Sequence, residues 1–319
     1  MNLYKYEDKP IANKHMLSLA SYSKDEILQI ISLALKLKDE RKKGIPHPIL
    51  KDKTLAMIFT KSSTRTRVSF EQGIKELGGY GMFLSSNDIQ LGRGEPISDT
   101  AQVLSRMVHG IMIRTFAQSD VEDLAKHSSI PVINGLTDDY HPCQVLADIM
   151  TVYEHKNTLE NLKLSFFGDG NNMANSLMII CAKLGIDIYV ACPKEYEPQE
   201  KIVQLAKEFA KETGSKVVVS QNAAECAADA DIIYTDVFAS MGQEDEAKKR
   251  LDDMLPYQVN ADIMQLAKSD AIFLHCLPAH RGEEVTADVI DGSQSVVFDE
   301  AENRLHAQKA LMALLMKDN

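Results

Sequence analysis

Phe59-Thr60-Lys61-Ser62-Ser63-Thr64-Arg65-Thr66-Arg67-Val68-Ser69-Phe70-Glu71 reads as the end of a strand, a polar turn and the opening of a helix. The apolar run Leu55-Ala56-Met57-Ile58-Phe59 is strand-like, and Val68, Phe70, Ile74 and Leu77 supply an apolar helix face beyond the turn. A helix N-terminus carries unpaired backbone N–H groups and the positive end of the helix dipole, so it is a natural seat for an oxyanion. Ser63, Thr64 and Thr66 add hydroxyl donors. Arg65 and Arg67 add fixed charge in a fork geometry suited to phosphate. The plain alternative is a Ser/Thr-capped helix with solvated arginines.

Working outward, the chain alternates strand and helix. A helix at 23–43, with Ser23 as cap and Glu26 three residues on, precedes a strand at 54–59 and a helix at 63–77. A strand at 80–84, a long polar loop at 85–96, a helix at 97–106, a strand at 110–114, a helix at 120–127 and a strand at 131–134 follow. Such alternation implies a parallel sheet with helices on both faces. Residues 142–156 form one apolar-periodic helix, read as a bridge between domains. Alternation then restarts: strands at 162–167, 187–192, 216–220, 232–235, 271–275 and 295–298, with helices at 175–184 and 198–213 and a long final helix at 300–316. The expected fold is α/β: two doubly wound parallel-sheet domains joined by interdomain helices. No internal repeat or low-complexity segment interrupts the pattern.

A length of 319 residues exceeds one ordinary core and suggests two domains. The hydrophobic fraction of 45% and charged fraction of 25% are those of a globular protein. A net charge of −11 with no basic stripe argues against nucleic acid as a partner, so an anionic substrate would need locally gathered arginines, with Arg65, Arg67 and Arg114 as candidates. No apolar run approaches the roughly 20 residues that span a bilayer, and the polar N-terminus lacks an apolar signal core. Five cysteines at 143, 181, 192, 226 and 276, without a CxxC pair, fit reduced thiols in the cytoplasm and speak against a disulfide framework or structural zinc. His275, Cys276 and His280 lie close together but make only a weak metal pattern.

Ser63-Thr64-Arg65-Thr66-Arg67 resembles the phosphate-binding signature of the aspartate and ornithine carbamoyltransferases. His141-Pro142-Cys143-Gln144 is similar to the family's His-Pro-x-Gln element. Asp236-Val237-Phe238-Ala239-Ser240-Met241-Gly242 and His275-Cys276-Leu277-Pro278 resemble the Asp-x-x-x-Ser-Met-Gly and His-Cys-Leu-Pro elements of the ornithine branch. All four occur in the family's order and at roughly its spacing. The resemblance implies a carbamoyl-phosphate-binding domain over 1–142, completed by a returning C-terminal helix at about 304–319, and an ornithine-binding domain over 143–303. It implies transfer of the carbamoyl group from carbamoyl phosphate to the side-chain amine of L-ornithine, giving L-citrulline and phosphate. No metal or organic cofactor is required by this chemistry, and the implied assembly is a homotrimer or a multiple of trimers. Transfer to another amine such as putrescine is the alternative, although putrescine has no carboxylate for the Ser-Met-Gly loop to hold.

Carbamoyl transfer sets four tasks: hold the phosphate, polarise the carbonyl, orient the carbamoyl NH2 and present a neutral amine. The resemblance assigns the phosphate to Ser63, Thr64, Arg65, Thr66 and Gln90, with Arg304 as a late arginine at the carbamoyl phosphate site. Arg114, at the carboxyl end of a strand, joins His141 and Thr66 in donating to the carbonyl oxygen. Gln144, one helical turn after His141, and the backbone carbonyls around Cys276 and Leu277 would accept from the NH2, with Pro278 expected to keep that segment extended. Asp236, Ser240, Met241 and Asn172 would hold ornithine, with Asn171 as the neighbouring alternative and Gly242 easing the turn. Cys276 and Asp236 would help keep the attacking nitrogen deprotonated; a buried core thiol is the ordinary fate of a free cysteine. Gly168-Asp169-Gly170-Asn171 after a strand raises a dinucleotide-binding turn, but Met173 stands where a third glycine belongs and no acidic residue ends the strand 188–192. A non-catalytic binding protein is the other class, set against a competent residue type at every site position.

Overall fold

A computed structural model describes residues 2–5, 7, 9–240, 242 and 244–317 of the chain. It resolves into two compact units, Met1–Met150 with Glu302–Asn319, and Thr151–Ala301. The division falls inside the helix that the sequence marks as a bridge.

The first unit is built from α1 (Lys24–Lys42), β1 (Thr54–Phe59), α2 (Arg65–Glu76), β2 (Tyr80–Ser85), α3 (Ile97–Leu104), β3 (Gly110–Arg114), α4 (Gln118–His127), β4 (Val132–Leu136) and most of α5 (Pro142–Lys156). Its four strands are all parallel, in the order β2-β1-β3-β4. The inner strands are continuous apolar runs because helices cover both faces of the sheet. Ala56, Ile58, Ile111, Ile113, Val121, Leu124 and Val132 form one side of that core. The Ser23 side chain accepts from the Glu26 N–H at 3.2 Å while Glu26 accepts from the Ser23 N–H at 2.8 Å, a reciprocal cap on α1.

The second unit holds β5 (Lys163–Phe167), α6 (Asn172–Leu184), β6 (Asp187–Ala191), α7 (Glu200–Thr213), β7 (Val217–Ser220), α8 (Ala223–Ala227), β8 (Ile232–Thr235), α9 (Ala247–Met254), α10 (Ala261–Leu266), β9 (Ile272–His275) and α11 (Ala287–Ile290). Its five parallel strands run β7-β6-β5-β8-β9. The final helix, α12 (Val297–Met316), starts in this unit, and its stretch from Glu302 onward belongs to the first.

Two expectations are corrected. Val68 is exposed, whereas Phe70, Ile74 and Leu77 are buried, so the apolar face of α2 is narrower than the sequence suggests. Residues 295–298 are not a strand: Ser295 makes one bridge to Phe273, and the Glu300 N–H already donates to the Val296 carbonyl, which commits the chain to α12. Gly170 has a packing reason that a nucleotide turn does not supply. A Cβ there would lie 2.2 Å from the Pro198 nitrogen, so the close approach of two backbones demands glycine.

Helix α12 is held to the first unit by a buried cation. Lys309 is fully buried, and its ammonium donates to Glu76 at 2.7 Å and contacts His47 Nε2 at 3.0 Å. Burial pushes the Glu76 carboxyl up, but hydrogen bonds from Lys309, Gln72 and Arg41 outweigh it and hold the group at about 2. A depressed carboxylate contributes stability above its unfolded pKa near 4.5, and that contribution is lost as pH falls through 4.5 toward 2. Lys309→Met is therefore expected to lower the thermal midpoint by several degrees at pH 7. The gap between wild type and variant should narrow below about pH 4.5 and close only as the melts approach pH 2.

Candidate active site

Both sheets reverse their winding direction once. In the first unit the order places this switch between β1 and β3; in the second, between β5 and β8. Loops leaving the carboxyl ends of strands at such points enclose the crevice where α/β sheets bind ligands. The turn after β1 carries Ser63 to Thr66, and β3 ends on Arg114. The turn after β5 carries Asn171 and Asn172, and β8 is followed by Asp236.

In the first unit, α2 begins at Arg65, two residues later than expected, and Thr64 makes no side-chain cap. The Ser63 hydroxyl instead accepts from the Thr66 N–H at 3.1 Å. The backbone N–H groups of Thr64, Arg65 and Arg67 find no acceptor among the described residues and stand at the positive end of the helix. Thr66 is buried, and its hydroxyl oxygen accepts from Arg114 at 3.4 Å and from Arg304 at 3.2 Å. With both lone pairs taken by guanidinium donors, the Thr66 proton is left to donate to a third group. Arg304 also donates to the side-chain carbonyls of Gln144 and, at 2.9 Å, Gln308. The Gln144 amide in turn donates to Asp148 at 2.8 Å, so its carbonyl meets an arginine here instead of standing open to an NH2 group. His141 is buried beside these cations. Burial, reinforced by Arg304, Arg114 and Arg65, holds its imidazole well below the usual histidine pKa, so the ring is neutral.

Two other candidates lie apart. Arg67 is exposed, pairs with Glu71 at 3.4 Å and stacks over Phe83 at 3.8 Å from the ring centroid. Gln90 is exposed at the first position of a 3-10 turn over Gln90–Arg93, without a hydrogen bond to the arginine group.

In the second unit, Asp236 is buried and fully engaged. One oxygen accepts from the Val237 N–H at 2.8 Å and from the Cys276 thiol at 3.0 Å; the other accepts from the Asn171 amide at 3.0 Å. Asn171 is also the N-cap of α6, accepting from Met173 and Ala174 N–H at 2.9 and 3.3 Å. Asn172 is the first residue of that helix. Ser240 lies in the loop after β8, and Gly242 has φ +94, a left-handed conformation suited to glycine. Met241 lies outside the described residues.

The segment after β9 is not extended as Pro278 had suggested. Leu277 sits at φ +56, and its N–H donates to His275 Nδ1 at 2.9 Å. Nδ1 therefore accepts, and the proton resides on Nε2, which donates to the buried Glu284 at 3.0 Å. Donor atoms of Asp236, His275 and Cys276 converge within 4.8 Å, close enough for a metal ion. Both His275 nitrogens are committed to these hydrogen bonds, so a metal there would have to break one of them.

Sequence reasoning missed several supporting residues. Lys61, buried between the Asp138 carboxylate at 2.5 Å and the Phe116 ring at 4.1 Å, ties together the segments after β1, β3 and β4. Arg250 of α9 pairs with Asp169 at 2.9 Å in front of Asn171. Gln308, one turn after Arg304, was legible only as an i,i+4 neighbour.

Two parallel-sheet units, each with polar groups at its switch point, and buried arginines around a hydroxyl at a helix start, define a binder of small anionic substrates. The family model for "Aspartate/ornithine carbamoyltransferase, carbamoyl-P binding domain" matches residues 14–154, and that for its Asp/Orn binding domain matches 160–315. The chain belongs to the aspartate/ornithine carbamoyltransferase family. It is 59% identical over 302 residues to the ornithine carbamoyltransferase of Caldicellulosiruptor saccharolyticus, covering 95% of this chain and 98% of that one. The ornithine carbamoyltransferase of Oceanobacillus iheyensis is 58% identical over 313 residues, 98% of this chain and 97% of its own length. The solved structure of ornithine carbamoyltransferase from Pyrococcus furiosus superposes with a TM-score of 0.94 at 53% identity, over 97% of this chain and 99% of that one.

Asn171 serves two purposes that can be separated. Asn171→Asp keeps a side-chain cap on α6, so the melting temperature should stay close to wild type. It replaces the amide donor with a carboxylate about 3 Å from Asp236, so carbamoyl-transfer activity should fall by about a hundredfold or more. Thermal melts and initial rates on the same preparation check both.

Proposed function

We propose that this protein transfers the carbamoyl group of carbamoyl phosphate to the side-chain amine of L-ornithine, giving L-citrulline and phosphate. The reading is carried by Thr66, whose hydroxyl gathers Arg114 and Arg304 beside a neutral His141. That arrangement offers cationic and neutral donors together, as a polarised carbonyl next to a departing phosphate requires. The amine specificity rests on relatives above 55% identity that carry the name ornithine carbamoyltransferase over nearly their whole length.

The open N–H groups at the start of α2 and the Arg65 side chain hold the phosphate, with Ser63 and Thr64 shaping the turn. Thr66, Arg114 and His141 donate to the carbamoyl oxygen as negative charge builds on it. Arg304 adds positive charge at the same place, held by Gln144, and Gln90 reaches the phosphate from its loop. The backbone carbonyls of Cys276 and Leu277 accept from the carbamoyl NH2; the left-handed turn at Leu277 aims them. Asn172, Ser240 and Met241 bind the α-amino and carboxylate groups of ornithine. Asp236 binds the side-chain nitrogen, and the Cys276 thiol on its carboxylate tunes that contact. The neutral amine attacks the carbamoyl carbon, the C–O bond to phosphate breaks with its electron pair, and the phosphate takes up the amine proton.

The 1–150 unit, completed by 302–319, is the carbamoyl-phosphate-binding domain and the 151–301 unit the ornithine-binding domain. The working assembly is a homotrimer in the cytoplasm. Val68, Tyr80, Met82 and Phe83 support self-association: they are exposed on α2 and on the edge strand β2, where a bare apolar edge invites a second copy. Among the described residues no helix is long and apolar enough to cross a membrane.

Phosphate release from carbamoyl phosphate, assayed in parallel with ornithine, putrescine and aspartate, is the direct test. Ornithine should be carbamoylated far faster than the other two, and an equal rate with putrescine would refute the substrate assignment. Arg65→Ala should remove measurable carbamoyl phosphate binding while the protein stays folded. Because His141 is held neutral well below pH 6.5, the acid limb of the kcat profile should be unchanged in His141→Asn, even as kcat falls.

A further inference from the structure

We propose that Gln308 is a positioning residue for carbamoyl phosphate, fixing Arg304 through a buried relay that ends on the first turn of the phosphate-binding helix. The inference rests on the carbamoyl-transfer reading above.

Gln308 is fully buried on α12, one helical turn beyond Arg304. Its side-chain carbonyl accepts from Arg304 Nε at 2.9 Å. Its amide donates to the Ser69 hydroxyl at 2.8 Å. Ser69 in turn donates to the Arg65 carbonyl at 2.6 Å, with the Thr66 carbonyl 3.2 Å away. The path thus runs from a guanidinium on α12 to the backbone of the two residues that open α2. Each donor meets an acceptor, so the polarity of the chain is fixed: the amide must present oxygen to arginine and nitrogen to serine.

A guanidinium has three edges, and this one uses each against a neutral acceptor: Gln308 at Nε, Gln144 and Thr66 at the terminal nitrogens. These three acceptors orient the guanidinium without themselves placing a negative charge against it. A carboxylate at position 308 would reach the same Nε but quench the field. A methionine would fill the same space and leave Arg304 and Ser69 each short of a partner. Gln308 is one of a run of buried polar residues on α12 that includes Asn303, Arg304, His306 and Lys309, and a buried amide there requires the partners it finds in Arg304 and Ser69.

Steady-state kinetics on the full chain, with thermal melts alongside, test the relay. Gln308→Met should raise the KM for carbamoyl phosphate about tenfold and leave the KM for ornithine within about twofold. Ser69→Ala should shift the same constant in the same direction by about threefold, and the double variant should be no worse than Gln308→Met alone, since one path is cut once. Gln308→Glu should weaken carbamoyl phosphate and inorganic phosphate binding at least as much as Gln308→Met without a lower melting temperature. If Gln308→Met fails to fold, Ser69→Ala and Gln308→Glu still decide the matter. Unchanged carbamoyl phosphate KM in the folded variants, with only melting temperatures reduced, would overturn the proposal. Calorimetric titration with inorganic phosphate separates the two readings. A wild type that binds phosphate in a Gln308-dependent way yet makes no citrulline would sink the functional assignment and spare the relay.

Discussion

Two arginines from distant parts of the chain converge on one hydroxyl. Arg114 ends β3, Arg304 lies near the start of the C-terminal helix within the first unit, and both donate to Thr66 in the first turn of α2. Like charges brought together in a buried place repel, so the cluster persists only with dense support. Part of that support is neutral oxygen: Thr66 accepts from both arginines, and Gln144 and Gln308 accept from Arg304. Burial, reinforced by the same field, keeps His141 neutral. A third cation is suppressed, and a neutral imidazole donor remains.

The second unit solves the opposite problem. A buried carboxylate needs donors, and Asp236 receives three: a backbone N–H, a thiol and an amide. Donors of this kind hold the anion in place without neutralising it, which suits a group proposed to receive an amine. The same loop that supplies the amide also caps α6, so the geometry of Asp236 and the start of that helix depend on a single asparagine. Around β9, the buried His275–Glu284 contact fixes the tautomer, and the tautomer fixes the left-handed turn at Leu277.

Much of this was legible in the chain itself. The alternation of buried apolar runs with amphipathic helices specifies two parallel sheets, because a strand covered on both faces has to be apolar throughout and a crossover helix has to be apolar on one side. The hydroxyl-rich turn with its arginines, and the polar residues that follow β3, β4, β5, β8 and β9, mark the carboxyl ends of strands in sequence alone. Local rules also fixed the reciprocal Ser23–Glu26 cap. They failed where a residue's conformation is set by something far away. Residues 295–298 look like a strand but are claimed by α12 after a single bridge to β9, whereas Val68, two residues from Phe70, lies on the opposite side of α2 by the helical period itself and faces outward.

Sequence by itself determined the two-sheet architecture, the turn that seats an anion and the residue types available for the chemistry, since each follows from local period, caps and strand ends. Tertiary structure alone decided that Arg67 stays outside the buried arginine group, where it stacks on the exposed ring of Phe83. It alone also chose Asn171 to hold Asp236, and it alone revealed that Gln308 serves Arg304. The reason is that hydrogen-bond partners separated by 65 or 239 positions leave no periodic trace in a chain; only packing brings them within 3 Å.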